Sequence, residues 1–151
     1  MANQEYVADA LEDLIAVARD GQSGYRDGGE HAKDPQLRRF LESVGLARAK
    51  FAGDLESYAV RLGKGDVNRS GSVKGAIQRG WTDLKANLGD GDDSILSSME
   101  TGDSYAKHRY QKYANDNKLP DDVLETIRIQ QQTIARTLDR VRAMRLNRKA
   151  A

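Results

Sequence analysis

The sequence predicts an all-α fold: an antiparallel four-helix bundle with a long crossover between helices 2 and 3. Apolar residues recur at alternating spacings of three and four in four long segments, which is helical rather than strand periodicity. Both prolines, Pro35 and Pro120, stand where a helix should begin. The 151 residues suffice for one domain with a substantial core, so we assign residues 1–151 to a single domain.

The first helix is predicted from about Gln4 to Lys33. Its apolar seam consists of Leu11, Ile15, Ala18, Tyr25 and Ala32. Its second half also contains four glycines, each costing about 1 kcal/mol relative to alanine in a helix interior: Gly21, Gly24, Gly28 and Gly29. Either the helix breaks near Gly21, or these glycines let a neighbouring helix approach closely. We predict one continuous helix. A phosphate-cradling loop is the functional alternative, but the glycine spacing matches neither the dinucleotide-binding nor the P-loop pattern.

The second helix is predicted from Pro35 to Leu62, with Asp34 as its N-cap. Its seam consists of Leu37, Leu41, Val44, Arg48, Phe51, Leu55, Tyr58 and Leu62. The longer connection that follows contains a short amphipathic helix beginning after Ser70 or Ser72. Its apolar face consists of Val73, Ile77, Trp81, Leu84 and Leu88.

Two further long helices complete the bundle. The seam of the third consists of Leu96, Met99, Asp103, Ala106, Tyr110 and Tyr113. The fourth, from Pro120 to about Asn147, carries Leu124, Ile127, Gln131, Ile134, Leu138 and Val141. Short links join helices 1 and 2 and helices 3 and 4, so each pair must be antiparallel. The long link between helices 2 and 3 is typical of a bundle with one crossover.

Each long helix places a polar residue near the middle of its apolar seam, which predicts a polar layer in the core. The four residues are Gln22, Arg48, Asp103 and Gln131, or Gln130 if the last seam is phased one residue earlier. Because a buried charge is tolerated only when it is paired, we expect Arg48 to bind Asp103. The layer is either a ligand or metal site, or a device that fixes helix register. A third alternative is that these side chains extend to the surface.

Several motifs resemble a bacterial ferritin-like four-helix family of unknown function. They are Arg19–Tyr25, Ser70–Gly75, Arg79–Lys85, the run from Ile95 through Glu100–Asp103 to Tyr110, and Leu119–Pro120. The resemblance covers nearly the whole chain and implies the bundle already predicted, without implying a biochemical role.

Di-iron members of the ferritin-like fold use a Glu from each of two helices and a Glu-x-x-His motif from each of the other two. This sequence contains no Glu-x-x-His, and its nearest equivalent is the Glu100–Asp103 pair. We therefore expect no cofactor and no metal centre; any metal that binds should use Glu100 and Asp103. His31 and His108 have no spacing typical of metal ligands.

Composition excludes several classes of function. With no cysteine, the chain has no disulfide, thiol nucleophile or thiolate metal site. The formal net charge of +1 gives no overall attraction to nucleic acid or membrane. We attribute the basic C-terminal segment, which includes Arg136, Arg140 and Arg148, to a solvated helix end. No signal peptide or membrane span is apparent, which predicts a cytoplasmic protein.

Three hypotheses for function follow. The first is a non-catalytic ferritin-like bundle with a stress-related, structural or partner-binding role, with a homodimer among the alternatives. The second is an iron- or manganese-binding bundle using Glu100 and Asp103. The third is an anion or nucleic-acid binder that uses the basic C-terminal helix. No residue pattern assigns the chain to an enzyme class, and no partner is identified.

Overall fold

The computed structural model describes residues 4–63 and 80–150, and within those residues the protein is all-α with no strand. The described residues form five helices: α1 (Gln4–His31), α2 (Pro35–Arg61), α3 (Leu84–Asn87), α4 (Asp92–Ala114) and α5 (Asp121–Ala150). Three of the long helices, α1, α2 and α5, begin and end within a few residues of their predicted boundaries, and α4 contains the whole predicted seam of the third helix. In the described residues, none of the helices is long and apolar enough to cross a membrane.

Helix α1 is continuous through its glycines, as predicted, because three of them allow close contact with neighbouring side chains or backbone. A Cβ on Gly21 would lie 3.0 Å from Arg48 Nη1. A Cβ on Gly28 would lie 3.0 Å from Met99 Cε, and one on Gly29 would lie 3.3 Å from the backbone nitrogen of Glu42. The conformational cost of these glycines is therefore offset by closer packing against α2 and α4.

The tight connection between α1 and α2 is held by two aspartates. Asp34 is the N-cap of α2, accepting a hydrogen bond from the Gln36 backbone nitrogen at 3.0 Å, and Pro35 is the first helical residue. Buried Asp92, at the start of α4, accepts the backbone N–H groups of Lys33 and Asp34 at 2.8 and 3.0 Å. The turn is thereby tied to a third helix.

Contacts between the long helices follow a regular order. Along α1, Tyr6 contacts Asp116, Asp13 contacts Arg109, and Tyr25 contacts Asp103, so the partner number falls as the α1 number rises. The same inverse order relates α2 to α5, where Phe51 contacts Gln130 and Phe40 contacts Arg140. The helices therefore form a bundle packed along their lengths.

The core consists of two apolar clusters. One includes Leu11, Leu14, Leu55, Tyr110 and Ile127, and the other includes Leu41, Trp81, Ile95, Met99 and Val141. In α2 and α4, Arg48 and Asp103 lie between the residues that contribute to the two clusters. The apolar core is thus interrupted near its middle by charged side chains.

Only part of the predicted crossover helix falls within the described residues. Ser70, Ser72, Val73 and Ile77 lie outside them, so its start stays a prediction. Trp81 and Leu84 are buried, as expected for its apolar face, and Leu84 begins the short helix α3.

Candidate functional site

The most concentrated polar chemistry in the described residues is a salt bridge in the bundle core. Arg48 of α2 and Asp103 of α4 are 1% and 0% exposed. Arg48 donates through Nη1 to Asp103 Oδ1 at 2.6 Å and through Nη2 to Oδ2 at 2.8 Å. This is the bidentate fork geometry that makes arginine–carboxylate pairs short and strong. The structure therefore brings together the two charged residues of the predicted layer.

A tyrosine completes this site. The Tyr25 hydroxyl, on α1, donates to Asp103 Oδ2 at 2.5 Å, and the Arg48 guanidinium carbon lies 5.2 Å from the Tyr25 ring centroid. Asp103 thus accepts hydrogen bonds from both neighbours, and Arg48 also has an aromatic face beside it. We call Tyr25, Arg48 and Asp103 the central triad; it joins three helices at one buried point.

Burial and mutual contact set the ionisation of the central triad. Burial alone would lower the pKa of Arg48, but the charge of Asp103 and its hydrogen bonds outweigh that effect and raise the pKa above the usual range. Burial, with Asp103 adding to it, raises the pKa of Tyr25 well above its usual value. Arg48 is therefore a permanent cation and Tyr25 a neutral hydrogen-bond donor at physiological pH.

The crossover segment packs against the central triad through Trp81. Its ring meets that of Tyr25 edge to face, with the ring centroids 6.0 Å apart. A Cβ on Gly24 would lie 2.6 Å from the indole, and one on Gly102 would lie 2.4 Å from it. Trp81 therefore occupies a slot between α1 and α4 that exists only because both positions are glycine. Gly80 next to it has a φ of +93°, a conformation that favours glycine.

The glutamines of the predicted layer lie elsewhere. Among the glutamines of α5, Gln130 rather than Gln131 is buried. It accepts a hydrogen bond from the Tyr110 hydroxyl at 2.7 Å and donates to the Phe51 carbonyl at 3.3 Å. Gln131 is half-buried because the α5 seam is phased one residue earlier. Gln22 is also half-buried and accepts from Arg19 at 2.9 Å.

Glu100 and Asp103, the alternative metal ligands, point to different arginines. Glu100 forms ion pairs with Arg142 at 3.2 Å and Arg145 at 2.9 Å, both on α5, whereas Asp103 binds Arg48. Among the residues that the structure describes, no three His, Cys, Asp or Glu side chains are grouped so that they could hold a metal ion. His31 and His108 are both exposed.

Several basic side chains of α5 are engaged within the protein. Arg148 forms ion pairs with Asp93, Asp92 and Asp34 at 2.8, 3.5 and 3.6 Å. The Arg140 guanidinium carbon lies 4.5 Å from the Phe40 ring centroid. The ion pairs of Arg142, Arg145 and Arg148 partly neutralise the charge that a nucleic acid would require, whereas the contact with Phe40 leaves the charge of Arg140 in place.

A second tyrosine–arginine–aspartate cluster was not predicted from the sequence. Asp13 of α1 binds Arg109 and accepts from the Tyr113 hydroxyl of α4 at 2.7 Å. We call Asp13, Arg109 and Tyr113 the peripheral triad, because the Arg109 and Asp13 side chains are 26% and 23% exposed. Asp13 lies beside the apolar seam rather than on it, so periodicity contains no signal for this contact.

One comparison with known proteins identifies a family. The model of a family described as a domain of unknown function (DUF2383) matches residues 6–116. The matched region covers more than half of the chain and includes the central triad, Trp81 and both slot glycines, whereas α5 lies beyond it. The chain therefore belongs to this family. No curated protein matches the sequence.

Proposed function

We propose that this DUF2383 protein is a non-catalytic, cytoplasmic bundle of the ferritin-like, antiparallel type with a structural or partner-binding role. The chain would form a single domain whose crossover joins α2 to α4. The observation that carries the proposal is the bidentate, fully buried contact between Arg48 and Asp103. In this interpretation, the arginine–carboxylate pair replaces a metal centre in the middle of the bundle.

Charge supports this interpretation. A fixed positive charge about 4 Å from a bound cation costs roughly 4 kcal/mol per unit charge at an effective dielectric constant of 20. A dinuclear centre also needs several converging carboxylates, usually helped by imidazole. Asp103 is neutralised by Arg48, and Glu100 is paired with two arginines. A metal ion would have to displace these partners from the carboxylates it needs.

The arrangement of hydrogen bonds supports a structural role for the same residues. Asp103 on α4 accepts hydrogen bonds from Tyr25 on α1 and from Arg48 on α2, so the central triad links three helices. Gln130 links α5 to α2 and α4 through Phe51 and Tyr110. Satisfied buried polar groups of this kind specify one register between helices, because a shifted register would leave charges unpaired.

The proposal is tested by metal analysis of the purified full-length protein. After loading with iron or manganese and desalting, we expect no stoichiometric metal by elemental analysis. Asp103→Asn should give the same result as the wild type. Asp13→Asn is the matched control, since it removes an arginine-paired carboxylate from the peripheral triad.

Two metal ions retained per wild-type chain, lost in Asp103→Asn and kept in Asp13→Asn, would overturn the proposal. That result would support the iron- or manganese-binding alternative with Asp103 as a ligand. Equal retention in all three proteins would place the metal away from the central triad. The interpretation of Arg48 as the replacement for a metal would then need no change.

A further inference from the structure

The outer face of α1 and α2 carries a shallow groove. Its volume is about 260 Å³, and it is lined by Gln22, Arg26, Glu30, Glu42, Gly45 and Leu46. Gly45 packs against the α1 backbone, where a Cβ would lie 3.3 Å from the Gln22 carbonyl oxygen. Leu46, at the edge of the groove, is 74% exposed, more than any other large apolar side chain among the described residues. An apolar side chain thus projects beside an open, concave surface.

Charged residues of opposite sign lie at equal distances along α2 on the two sides of Leu46. Arg39, Glu42, Leu46, Lys50 and Gly53 follow one another at spacings of three or four, so they share one face of α2. Glu42 precedes Leu46 by four residues and Lys50 follows it by four. Glu42 and Arg39 have no ion-pair partner within residues 4–63 and 80–150, and Lys50 has only an exposed contact of 3.4 Å with Asp54.

This pattern is complementary to itself when the helix direction is reversed. In an antiparallel contact centred on Leu46, Glu42 lies opposite Lys50 of the partner subunit, and the two-fold axis repeats the pair. Arg39 lies opposite Gly53 of the partner subunit, where nothing within 4 Å of a Cβ position fills the space. The α1 wall of the groove carries both signs of charge, in Arg26 and Glu30, and Glu42 is the charged residue of the α2 wall.

We propose that the chain forms a two-fold homodimer in which α2 packs antiparallel against α2 of a second copy. Leu46 enters the groove of the partner subunit, and two Glu42–Lys50 pairs flank it. A stable interface buries roughly 800 Å² per subunit. The 27 residues of α2, about 40 Å long at 1.5 Å per residue, and the adjacent face of α1 supply the required length. This proposal is independent of the metal question.

The test is sedimentation velocity of the full chain over a range of protein concentrations. We expect a wild-type dimer, and Leu46→Glu should weaken it by at least ~100-fold, because two buried leucines are lost per dimer. The matched control is Leu146→Glu on α5, where a leucine that is 61% exposed lies outside the groove. Leu146→Glu should leave the dimer unchanged.

Charge reversal tests the orientation of the two helices. Glu42→Lys and Lys50→Glu should each weaken the dimer, since like charges then face each other twice, and the double variant should restore it. Circular dichroism of each variant checks that the helices are retained. A monomeric wild type at all concentrations, or a dimer insensitive to Leu46→Glu, overturns the proposal. Failure of the double variant to restore association refutes the antiparallel register.

Discussion

The central and peripheral triads contain the same three residue types, tyrosine, arginine and aspartate, but differ in how far they are buried. In both, an aspartate accepts hydrogen bonds from a tyrosine and an arginine and links α1 to α4. The Arg48 and Asp103 side chains of the central triad are 2% and 0% exposed, whereas about a quarter of Arg109 and Asp13 is exposed. The peripheral triad has no member on α2.

The comparison shows how strongly burial changes the stability cost of losing one partner of an arginine–aspartate pair. Water can solvate Asp13 or Arg109 if its partner is lost, so a pair that keeps contact with water contributes only about 0–1 kcal/mol. Water cannot reach Asp103 without rearrangement of the core, and an unpaired buried charge costs several kcal/mol. The central triad is therefore a condition for the fold, whereas the peripheral triad makes a modest addition to stability.

The largest predicted effect is the mutual dependence of Arg48 and Asp103. Arg48→Met and Asp103→Leu should each lower the free energy of unfolding by ~3–5 kcal/mol, because each leaves a buried charge unpaired. The double variant should cost much less than the sum, since no unpaired charge remains. Urea denaturation of all four proteins measures the coupling.

The peripheral triad is the control for this cycle. Arg109→Met should lower the free energy of unfolding by no more than about 1 kcal/mol, and added salt should reduce that difference. Equal costs for Arg48→Met and Arg109→Met would mean that burial does not distinguish the triads. Additive effects of Arg48→Met and Asp103→Leu would show that these side chains reach water.

A smaller effect is predicted for the slot that holds Trp81 against the central triad. Gly24→Ala and Gly102→Ala should each destabilise the protein by about 1–3 kcal/mol, because the new Cβ would overlap a rigid indole ring. Trp81 is the only tryptophan, so its fluorescence reports directly on displacement from the slot. We expect a red-shifted emission in both variants.

Gly53→Ala is the matched control for the slot glycines. Gly53 lies inside α2, and nothing within 4 Å would meet its Cβ, so alanine should stabilise the protein by about 0.5–1 kcal/mol through helix propensity. Its tryptophan emission should match that of the wild type. If Gly24→Ala also stabilised the protein, the close packing of Trp81 between α1 and α4 would be refuted.

A pH-dependent effect is one that the two triads should share above pH 10. Burial raises the pKa of both Tyr25 and Tyr113, with the neighbouring aspartate adding to the shift. Above the usual tyrosine pKa, near 10, the unfolded chain loses these protons while the folded protein keeps them. The free energy of unfolding should therefore fall with rising pH, by about 1.4 kcal/mol per pH unit for each tyrosine.

Tyr25→Phe and Tyr113→Phe should each make this alkaline decline less steep, as measured by urea denaturation between pH 9 and about 11. At pH 7 the two variants should differ, because Tyr25→Phe removes a hydrogen bond from a fully buried carboxylate. If the free energy of unfolding of Tyr25→Phe fell with pH as steeply as that of the wild type, the Tyr25 hydroxyl of the wild type would have to ionise in the folded protein.

Sequence periodicity predicted helix positions better than it predicted side-chain orientation. Asp34 and Pro35 define the start of α2 by local rules, because an N-cap and a first-turn proline act within a few residues. Gln130 and Gln131 differ by about 100° around α5, and a seam with mixed spacings of three and four does not distinguish them. The packing of α5 against Tyr110 selects Gln130.

The sequence by itself determined four long helices and a requirement that Arg48 find a buried counter-charge. These features depend on local propensity, on capping and on the cost of burying a charge, all of which can be read from neighbouring residues. Only the tertiary structure decided that Tyr25 completes the pair, that Trp81 fills the slot between Gly24 and Gly102, and that Asp13 joins Arg109. Such contacts join residues tens of positions apart, and their geometry depends on helix rotation and separation, which no local pattern specifies.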